Sequence, residues 1–133
     1  MLKLKIIAVL FSVMFLGAAC AQQSKIGDAN DNIKLISPEA NIVIKNPLLV
    51  KAETKGSGEL FQIYLKDESG KVLLQKGGYF AEGNKLEKSI EFTTSELNQL
   101  TSIESRKGIF EVASVSDYNA AVNYKLEIPV RFK

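Results

Sequence analysis

A single cysteine carries the clearest chemical signal in this chain. Cys20 follows an N-terminal segment with two lysines, a nearly unbroken apolar run over residues 6–16, and the small residues Gly-Ala-Ala. A positively charged start, an apolar stretch of about a dozen residues and a small-residue exit are typical of an export signal. The run is shorter than the roughly 20 residues that a membrane-spanning helix needs. We therefore predict a signal peptide over residues 1–19 and a mature protein that works outside the cytoplasm.

The residues around Cys20 resemble the lipobox of bacterial lipoproteins, in which the thiol is diacylated and the chain is cut just before the cysteine. The two alanines before Cys20 supply the small side chains of that pattern, although glycine stands where leucine is usual. The resemblance implies lipid attachment at Cys20 and, in a two-membrane cell, an outer-membrane location. The alternative is ordinary cleavage after Ala21, which leaves a soluble secreted or periplasmic protein that begins at Gln22.

The rest of the chain is poor in catalytic residue types. It has no histidine and no further cysteine, so the commonest general base, the commonest metal ligand and thiol chemistry are missing. Acidic residues such as Asp67, Glu82 and Asp117 fall in predicted turns or on wet strand faces, where acids are normally only solvated. The pair Gly77-Gly78 lacks the lysine and helix of a phosphate loop. We predict a protein that is not an enzyme and uses no cofactor or metal.

The charge balance excludes an electrostatic footprint for nucleic acid. The chain has 17 basic and 15 acidic residues, and two of the lysines, Lys3 and Lys5, lie in the leader. The remaining chain therefore carries equal numbers of each sign, without the clustered lysine and arginine that nucleic acid requires. The predicted partners are the membrane, through the lipid anchor, and an envelope protein or a cell-wall component.

The mature chain divides into a tether and one domain. Residues 21–32 are polar with one large apolar side chain, which predicts a lipidated cysteine and flexible tether over residues 20–32. Residues 33–133 are long enough for a single core.

Within the domain, apolar and polar residues alternate almost everywhere with the period of a half-buried strand. The last segment is clearest, because residues 122, 124, 126, 128, 130 and 132 are apolar or aromatic and the residues between them are polar or proline. Pro129 lacks an N–H group and predicts a sheet edge or a bulge there. Short strands are also predicted around residues 33–36, 42–44, 50–54, 61–66, 71–76, 86–92 and 109–115. Residues 95–100 depart from the pattern and predict one helical turn with a serine cap.

This spacing of strands and turns predicts an all-β fold, an immunoglobulin-like antiparallel β-sandwich of about seven or eight strands with one short helical turn. A closed barrel is the alternative. Three motifs also resemble the immunoglobulin-like domain of bacterial spore germination and sporulation proteins (Gmad2-like): the Ile-x-Leu-Ile-Ser-Pro opening at residues 33–38, the Asp-x-x-Gly hairpin at residues 67–70, and the Ile-Pro-Val closure at residues 128–130. The resemblance implies this fold in an extracytoplasmic setting and supplies no catalytic residue or ligand.

Two segments carry candidate binding residues. Tyr79 and Phe80 are adjacent aromatics in the glycine-rich segment 77–84, predicted to be a mobile loop, and Tyr118 lies in a second turn. The alternative is that Phe80 plugs one end of the sandwich and Tyr79 covers it. These features predict a non-enzymatic interaction or scaffold module of the cell envelope. An inhibitor of an extracellular protease or lysozyme that acts through end loops, and a small-ligand or glycan carrier, are the alternatives.

Overall fold

A computed structural model describes residues 24–26, 29–116 and 122–133 of the chain. The described residues form eight strands and one helix. In chain order they are β1 (Ser24–Ile26), β2 (Ile33–Ser37), β3 (Leu48–Thr54), β4 (Leu60–Asp67), β5 (Val72–Phe80), β6 (Lys85–Ile90), α1 (Thr94–Thr101), β7 (Lys107–Val115) and β8 (Val122–Arg131).

The strands form two sheets that pack face to face. The five-stranded sheet has the order β1-β8-β7-β4-β5 and the three-stranded sheet has the order β2-β3-β6. Every pairing is antiparallel except that of β1 with β8, which is parallel. Two mainly antiparallel sheets packed in this way form a β-sandwich. The predicted fold class, an antiparallel sandwich with one short helix, is confirmed.

The core lies between the sheets and follows the predicted alternation. Across β4 and β7, Phe61 lies opposite Ser114, Ile63 opposite Val112, and Leu65 opposite Phe110. All six are at most 2% exposed. The three-stranded sheet contributes the facing residues, which include Ile33, Val50, Leu86 and Ile90. Alternate residues of a strand point to opposite faces, so the other set of β4, β7 and β8 residues lies on the outer face of the five-stranded sheet.

The register of the strands defines the two ends of the five-stranded sheet. At the first, called the Phe80 end, Leu60 lies opposite both Phe80 and Val115, and Val115 lies opposite Val122. At the second, called the Arg131 end, Lys107 lies opposite Arg131. Strand β8 begins at the Phe80 end and runs to the Arg131 end. Because β1 is parallel to β8, β1 runs in the same direction.

The N-terminal boundary of the domain differs from the prediction. Ser24–Ile26 pairs with residues 125–127 of β8, so at least this part of the predicted tether belongs to the sheet. The side chain of Asn30 also donates to the Lys125 carbonyl at 3.0 Å. A polar segment can add to a sheet in this way because backbone groups make the ladder. Residues 24–26 and Asn30, which were expected to belong to the flexible tether, are therefore bonded to β8.

The segment at residues 42–44 was predicted to be a strand, and the structure shows a single parallel bridge between Val43 and Arg131 instead. Its backbone bonds go to the outer edge of β8: Ile44 N–H donates to the Arg131 carbonyl at 2.8 Å, and Asn41 N–H donates to the Pro129 carbonyl at 2.7 Å. The Pro129 carbonyl thus points away from β7, and the missing N–H of Pro129 breaks no bond within the sheet. The sequence predicted an edge or a bulge at Pro129. Instead β8 is an interior strand between β1 and β7, and its register with β7 does not shift at Pro129.

The helix connects β6 to β7 across the Arg131 end. Its cap is Thr93, not the serine predicted from the sequence, and the helix is one residue longer at each end than predicted. Thr93 Oγ1 accepts from the Glu96 N–H at 3.1 Å, and the Glu96 carboxylate accepts from the Thr93 N–H at 2.9 Å. This reciprocal capping box satisfies backbone donors that the first turn would otherwise leave free. Leu100 is buried and Leu97 packs against the core.

Replacing Thr93 with alanine is expected to destabilise the domain by about 1 kcal/mol, because the Glu96 N–H loses its acceptor and the reciprocal bond loosens. In a domain of this size the loss lowers Tm by roughly 4 °C. Thermal unfolding of residues 22–133 measures the change. Thr94→Ala is the matched control, since Thr94 is exposed within the helix and does not serve as the cap. Equal melting temperatures for the two variants would contradict the capping role.

Candidate functional site

The sequence-predicted candidates are only partly described by the structure. Cys20 and Tyr118 lie outside the described residues. Tyr79 and Phe80 are described, but they are not in a loop, because β5 continues through Gly77 and Gly78 to Phe80. The turn that follows is tight, with Glu82 and Lys85 joined by reciprocal backbone hydrogen bonds of 2.8 and 3.0 Å. The prediction of a mobile loop over residues 77–84 is therefore wrong for its first half.

Gly77 explains why the strand continues through a glycine pair. A Cβ atom at this position would lie 1.4 Å from Gln62 Oε1, so the Gln62 side chain occupies the space that any larger residue would need. The register between β4 and β5 shifts between Phe61 and Gln62, and Gly78 has a φ of 81°. The glycines thus accommodate a bulge in an edge strand rather than a loop.

Tyr79 and Phe80 point to opposite faces of β5. Tyr79 is half-buried and packs against the core, whereas Phe80 is 58% exposed. The alternative in which Phe80 plugs the sandwich and Tyr79 covers it is therefore wrong. Tyr79, and not Phe80, is the aromatic side chain that packs against the core. Phe80 lies between two open cavities of about 270 and 310 Å³. The first is lined by Gly58, Glu59, Leu60, Phe80, Ser114, Val115, Ser116 and Asn123, and the second by Phe80, Glu82, Lys85, Glu87 and Lys88.

A tyrosine beside the first cavity is bonded rather than reactive. The Tyr124 hydroxyl donates to Glu59 Oε2, and the ring meets Phe61 edge to face with centroids 6.5 Å apart. Burial, followed by the neighbouring Glu59 carboxylate, raises the pKa of Tyr124 well above its ordinary value. A hydroxyl that holds its proton so firmly is no nucleophile at neutral pH. The contact ties the β3–β4 turn to β8.

A cluster of four charged residues lies on the outer face of the five-stranded sheet and was missed by the sequence analysis. Glu111 and Glu127 lie directly opposite each other on β7 and β8, and are only 4% and 9% exposed. Lys66 Nζ contacts Glu111 Oε1 and lies 3.4 Å from Glu127 Oε1, and Lys125 Nζ lies 3.8 and 3.5 Å from the same two atoms. We call these four residues the ionic cluster. Glu127 was predicted on a wet face, which is wrong because the lysines cover it.

The pKa values of the two carboxylates in the ionic cluster are shifted in opposite directions. Burial and the hydrogen bond with Glu127 raise the pKa of Glu111 above its ordinary range, despite the opposing effect of Lys66. Burial also acts on Glu127, but the hydrogen bond with Glu111 and the charges of Lys66 and Lys125 outweigh it and lower its pKa. Such a pair is used for acid–base catalysis elsewhere. Here the oxygen atoms face lysines, and neither cavity beside Phe80 includes any member of the cluster. The arrangement is that of a structural network.

The outer face also carries a groove at the Arg131 end, with a volume of about 310 Å³. Its floor contains Ile109 and Pro129, which are half-buried and directly opposite each other. The next pair on the same face, Lys107 and Arg131, also lines the groove, and both residues are exposed. The remaining lining residues are Asn41, Glu68, Gly108 and Val130. We call this the Arg131 groove.

The cations of the Arg131 groove are not neutralised by the fold. In the described part of the chain, the ion pairs are made by Lys51, Lys66, Lys76 and Lys125, and none uses Lys107 or Arg131. Ile42 and Val43, which follow the groove residue Asn41, are 37% and 36% exposed. An apolar floor, two unpaired cations and exposed aliphatic side chains therefore meet at one end of the sheet.

Among the residues that the structure describes, no group of three carboxylate, thiol or imidazole side chains is placed to hold a metal ion. No helix in the described ranges has the length and apolar character to cross a membrane.

Comparisons with known proteins give no relative that names a function. No protein-family model matches the chain, and no curated protein matches it. One similar solved structure is an engineered protein, 11% identical with a TM-score of 0.45; the match covers 79% of this chain but only 20% of the engineered one. Another is CopC from Methylosinus trichosporium OB3b, 20% identical with a TM-score of 0.40, with 73% of this chain and 91% of CopC covered. At these TM-scores neither similarity informs the function of the chain.

Proposed function

We propose that this protein is an exported lipoprotein of the cell envelope whose immunoglobulin-like domain is a non-enzymatic interaction module. The leader and Cys20 support the location, as does the resemblance to the immunoglobulin-like domain of spore germination and sporulation proteins. The observation that carries the interaction role is the Arg131 groove, because it joins an apolar floor to two cations that make no ion pair with the residues that the structure describes.

The groove suits a short segment of another envelope protein. Ile109 and Pro129 offer half-buried apolar surface, so a partner's apolar side chain can bury further area there. Lys107 and Arg131 favour a carboxylate beside that side chain, and a planar guanidinium can bind a carboxylate through two parallel hydrogen bonds. Glu68 on the lining disfavours a partner of uniformly negative charge. The proposed partner therefore carries an apolar residue next to a single acidic group.

Replacing both cations of the Arg131 groove, Lys107→Glu with Arg131→Glu, is expected to weaken partner binding about tenfold or more. The partner's carboxylate would then face two negative charges, and like charges across an interface cost several kcal/mol. Crosslinking in intact cells, followed by capture of the full-length protein and mass spectrometry, identifies the partner, and titration of the purified pair measures the affinity. The matched control reverses Lys34 and Lys88, two exposed lysines of the three-stranded sheet, and is expected to bind normally.

Capture of the same partner at equal strength by the groove variant would refute the assignment to this groove. Turnover of substrate by the wild-type domain in a hydrolase screen would refute the non-enzymatic role. For the inhibitor alternative, Tyr79 and Phe80 lie in a strand and not in a protruding loop, so inhibition of a panel of proteases and lysozymes by the domain is its test. The glycan alternative is not favoured at the groove, because its lining includes no aromatic side chain.

A further inference from the structure

We propose that the Phe80 end of the sandwich rests on the membrane surface, with Phe80 inserted at the boundary between headgroups and acyl chains. The proposal rests on the lipid anchor of the proposed function and goes beyond it, because it assigns an orientation to the domain and a second contact with the bilayer. Three observations carry it: the register of β1, the short chain between β1 and Cys20, and the exposure of Phe80.

The register of β1 fixes the end from which the chain enters the domain. Ser24 lies opposite Lys125, only three residues after the start of β8 at the Phe80 end, which is about 10 Å along the strand. Since β1 is parallel to β8, the amino end of β1 is directed toward the Phe80 end. Three residues lie between Cys20 and Ser24, which makes four residue-to-residue steps, and an extended chain spans at most about 3.5 Å per step. A lipid on Cys20 is therefore tied within about 14 Å of Ser24, too close for the domain to stand far from the bilayer.

Phe80 is placed to make the second contact. It is the most exposed large hydrophobic side chain of the described residues. Four others of this kind, Ile42, Val43, Leu49 and Val72, lie toward the opposite end, and Ile36 lies about halfway along the three-stranded sheet. β1 and β5 are the two edges of the same sheet, four strand spacings apart. At about 4.8 Å per spacing, the anchored edge and Phe80 are roughly 19 Å apart. The lipid anchor beside β1 and the Phe80 contact on β5 thus lie at opposite edges of the same end of the sheet. Together they orient the strands roughly perpendicular to the bilayer.

The exposed side chains at the Phe80 end suit binding to a lipid surface through apolar contact rather than through charge. Exposed phenylalanine is a common residue on the buried face of segments that lie in the membrane interface. Among the described residues at this end, the exposed cations Lys55 and Lys85 are matched by the exposed anions Asp31 and Glu82. We therefore expect the contact to be insensitive to salt and to the charge of the lipid. In this orientation the Arg131 groove faces away from the membrane, roughly 25 Å higher along the strands, where a partner can reach it.

A single tryptophan tests the orientation, because the chain has no tryptophan of its own. Phe80→Trp and, as a matched control, Val72→Trp are introduced into the full-length lipidated protein, which is reconstituted into phosphatidylcholine vesicles with brominated acyl chains. Val72 is 47% exposed at the other end of the same strand. The expected result is a blue-shifted, strongly quenched emission for Trp at position 80 at both low and high salt. Emission at position 72 is expected to be unquenched.

The outcomes separate this inference from the anchor on which it rests. Vesicle-bound protein in which position 80 is unquenched, or in which both positions are quenched alike, overturns the orientation and leaves the anchor intact. Protein that carries no diacylglyceryl mass and does not float with vesicles overturns the anchor, and the inference falls with it. Phe80→Trp in a Cys20→Ala background is expected to stay unquenched, because one aromatic side chain alone does not hold a protein on a bilayer.

Discussion

Replacing Cys20 with alanine is expected to abolish lipid attachment and to move every chain that loses its leader from the membrane fraction to the soluble fraction. A diacylglyceryl group supplies two acyl chains, and each buried CH₂ contributes about 0.8 kcal/mol, so the loss of both chains removes nearly all of the attachment. The variant also lacks the nucleophilic thiol that forms the thioether, so it is expected to persist as precursor or to be cut after Ala21. Fractionation of cells and intact-mass analysis of the membrane-bound wild type measure the change.

The control for this experiment is Ala21→Ser, which keeps a small residue after the cysteine and is expected to remain lipidated and membrane-bound. A wild-type protein found as an unmodified chain that begins at Gln22 would contradict the lipoprotein assignment and leave a soluble exported sandwich. A Cys20→Ala protein that stays on the membrane after removal of its leader would equally exclude the lipid as the anchor. Both measurements use protein from the native export route, because acylation occurs only there.

Most of the sandwich could be predicted because its strands are buried on one face. Alternation of period two places residues such as Phe61, Val112 and Leu126 inward without knowledge of their partners, and all three are fully buried. The same reasoning treats every intervening polar residue as solvated. That rule fails for Glu127, because burial there depends on Lys66 and Glu111, which the fold brings beside it from other strands. Contacts between residues so far apart in sequence leave no periodic signal.

The errors at β1 and β5 have a related cause. Residues 24–26 have no apolar alternation, and they join the sheet through a neighbouring edge that only the folded domain provides. Gly77 and Gly78 are strong turn signals in isolation. In the structure the Gln62 side chain lies where a Cβ of Gly77 would stand, so the strand needs glycine at this position. The Arg131 groove was not predicted either, since Lys107 and Arg131 meet only through the register of β7 with β8.

Replacing Lys66 with methionine is expected to destabilise the domain by about 3 kcal/mol at pH 7, because two buried carboxylates lose the nearer of the two lysines that they share. Methionine retains much of the lysine's apolar length, so the change removes the charge with little loss of packing. Urea denaturation of residues 22–133 measures the difference. The matched control is Lys51→Met, whose ion pair with Glu87 is 3.8 Å long between side chains that are 41% and 66% exposed, and it is expected to cost less than about 1 kcal/mol.

The pH dependence distinguishes a lost charge from lost packing. In the wild type, the raised pKa of Glu111 makes its contribution to stability fall as pH rises above about 4.5, its ordinary pKa. The lowered pKa of Glu127 makes an opposite contribution, which is present above the same pH and is lost as pH falls through the folded-state pKa. These two effects partly cancel. Without Lys66, both carboxyls are expected to have raised pKa values in the folded state. The folded variant then takes up protons as the pH falls. The difference in unfolding free energy between the wild type and the variant is therefore expected to shrink between pH 7 and pH 4.

A second substitution completes the test, because it restores the charge balance without restoring the lysine. In Lys66→Met with Glu111→Gln, the remaining Glu127 keeps Lys125 at 3.5 Å as its partner, and glutamine retains the shape of the carboxylate it replaces. We expect this double variant to recover most of the stability lost by Lys66→Met at pH 7 and to lose the acid-dependent recovery. A Lys66→Met deficit that is independent of pH, or one no larger than that of Lys51→Met, would show that Lys66 contributes packing or a solvated surface charge instead. The positions of Glu111 and Glu127, 4% and 9% exposed on adjacent strands, argue for the charged network.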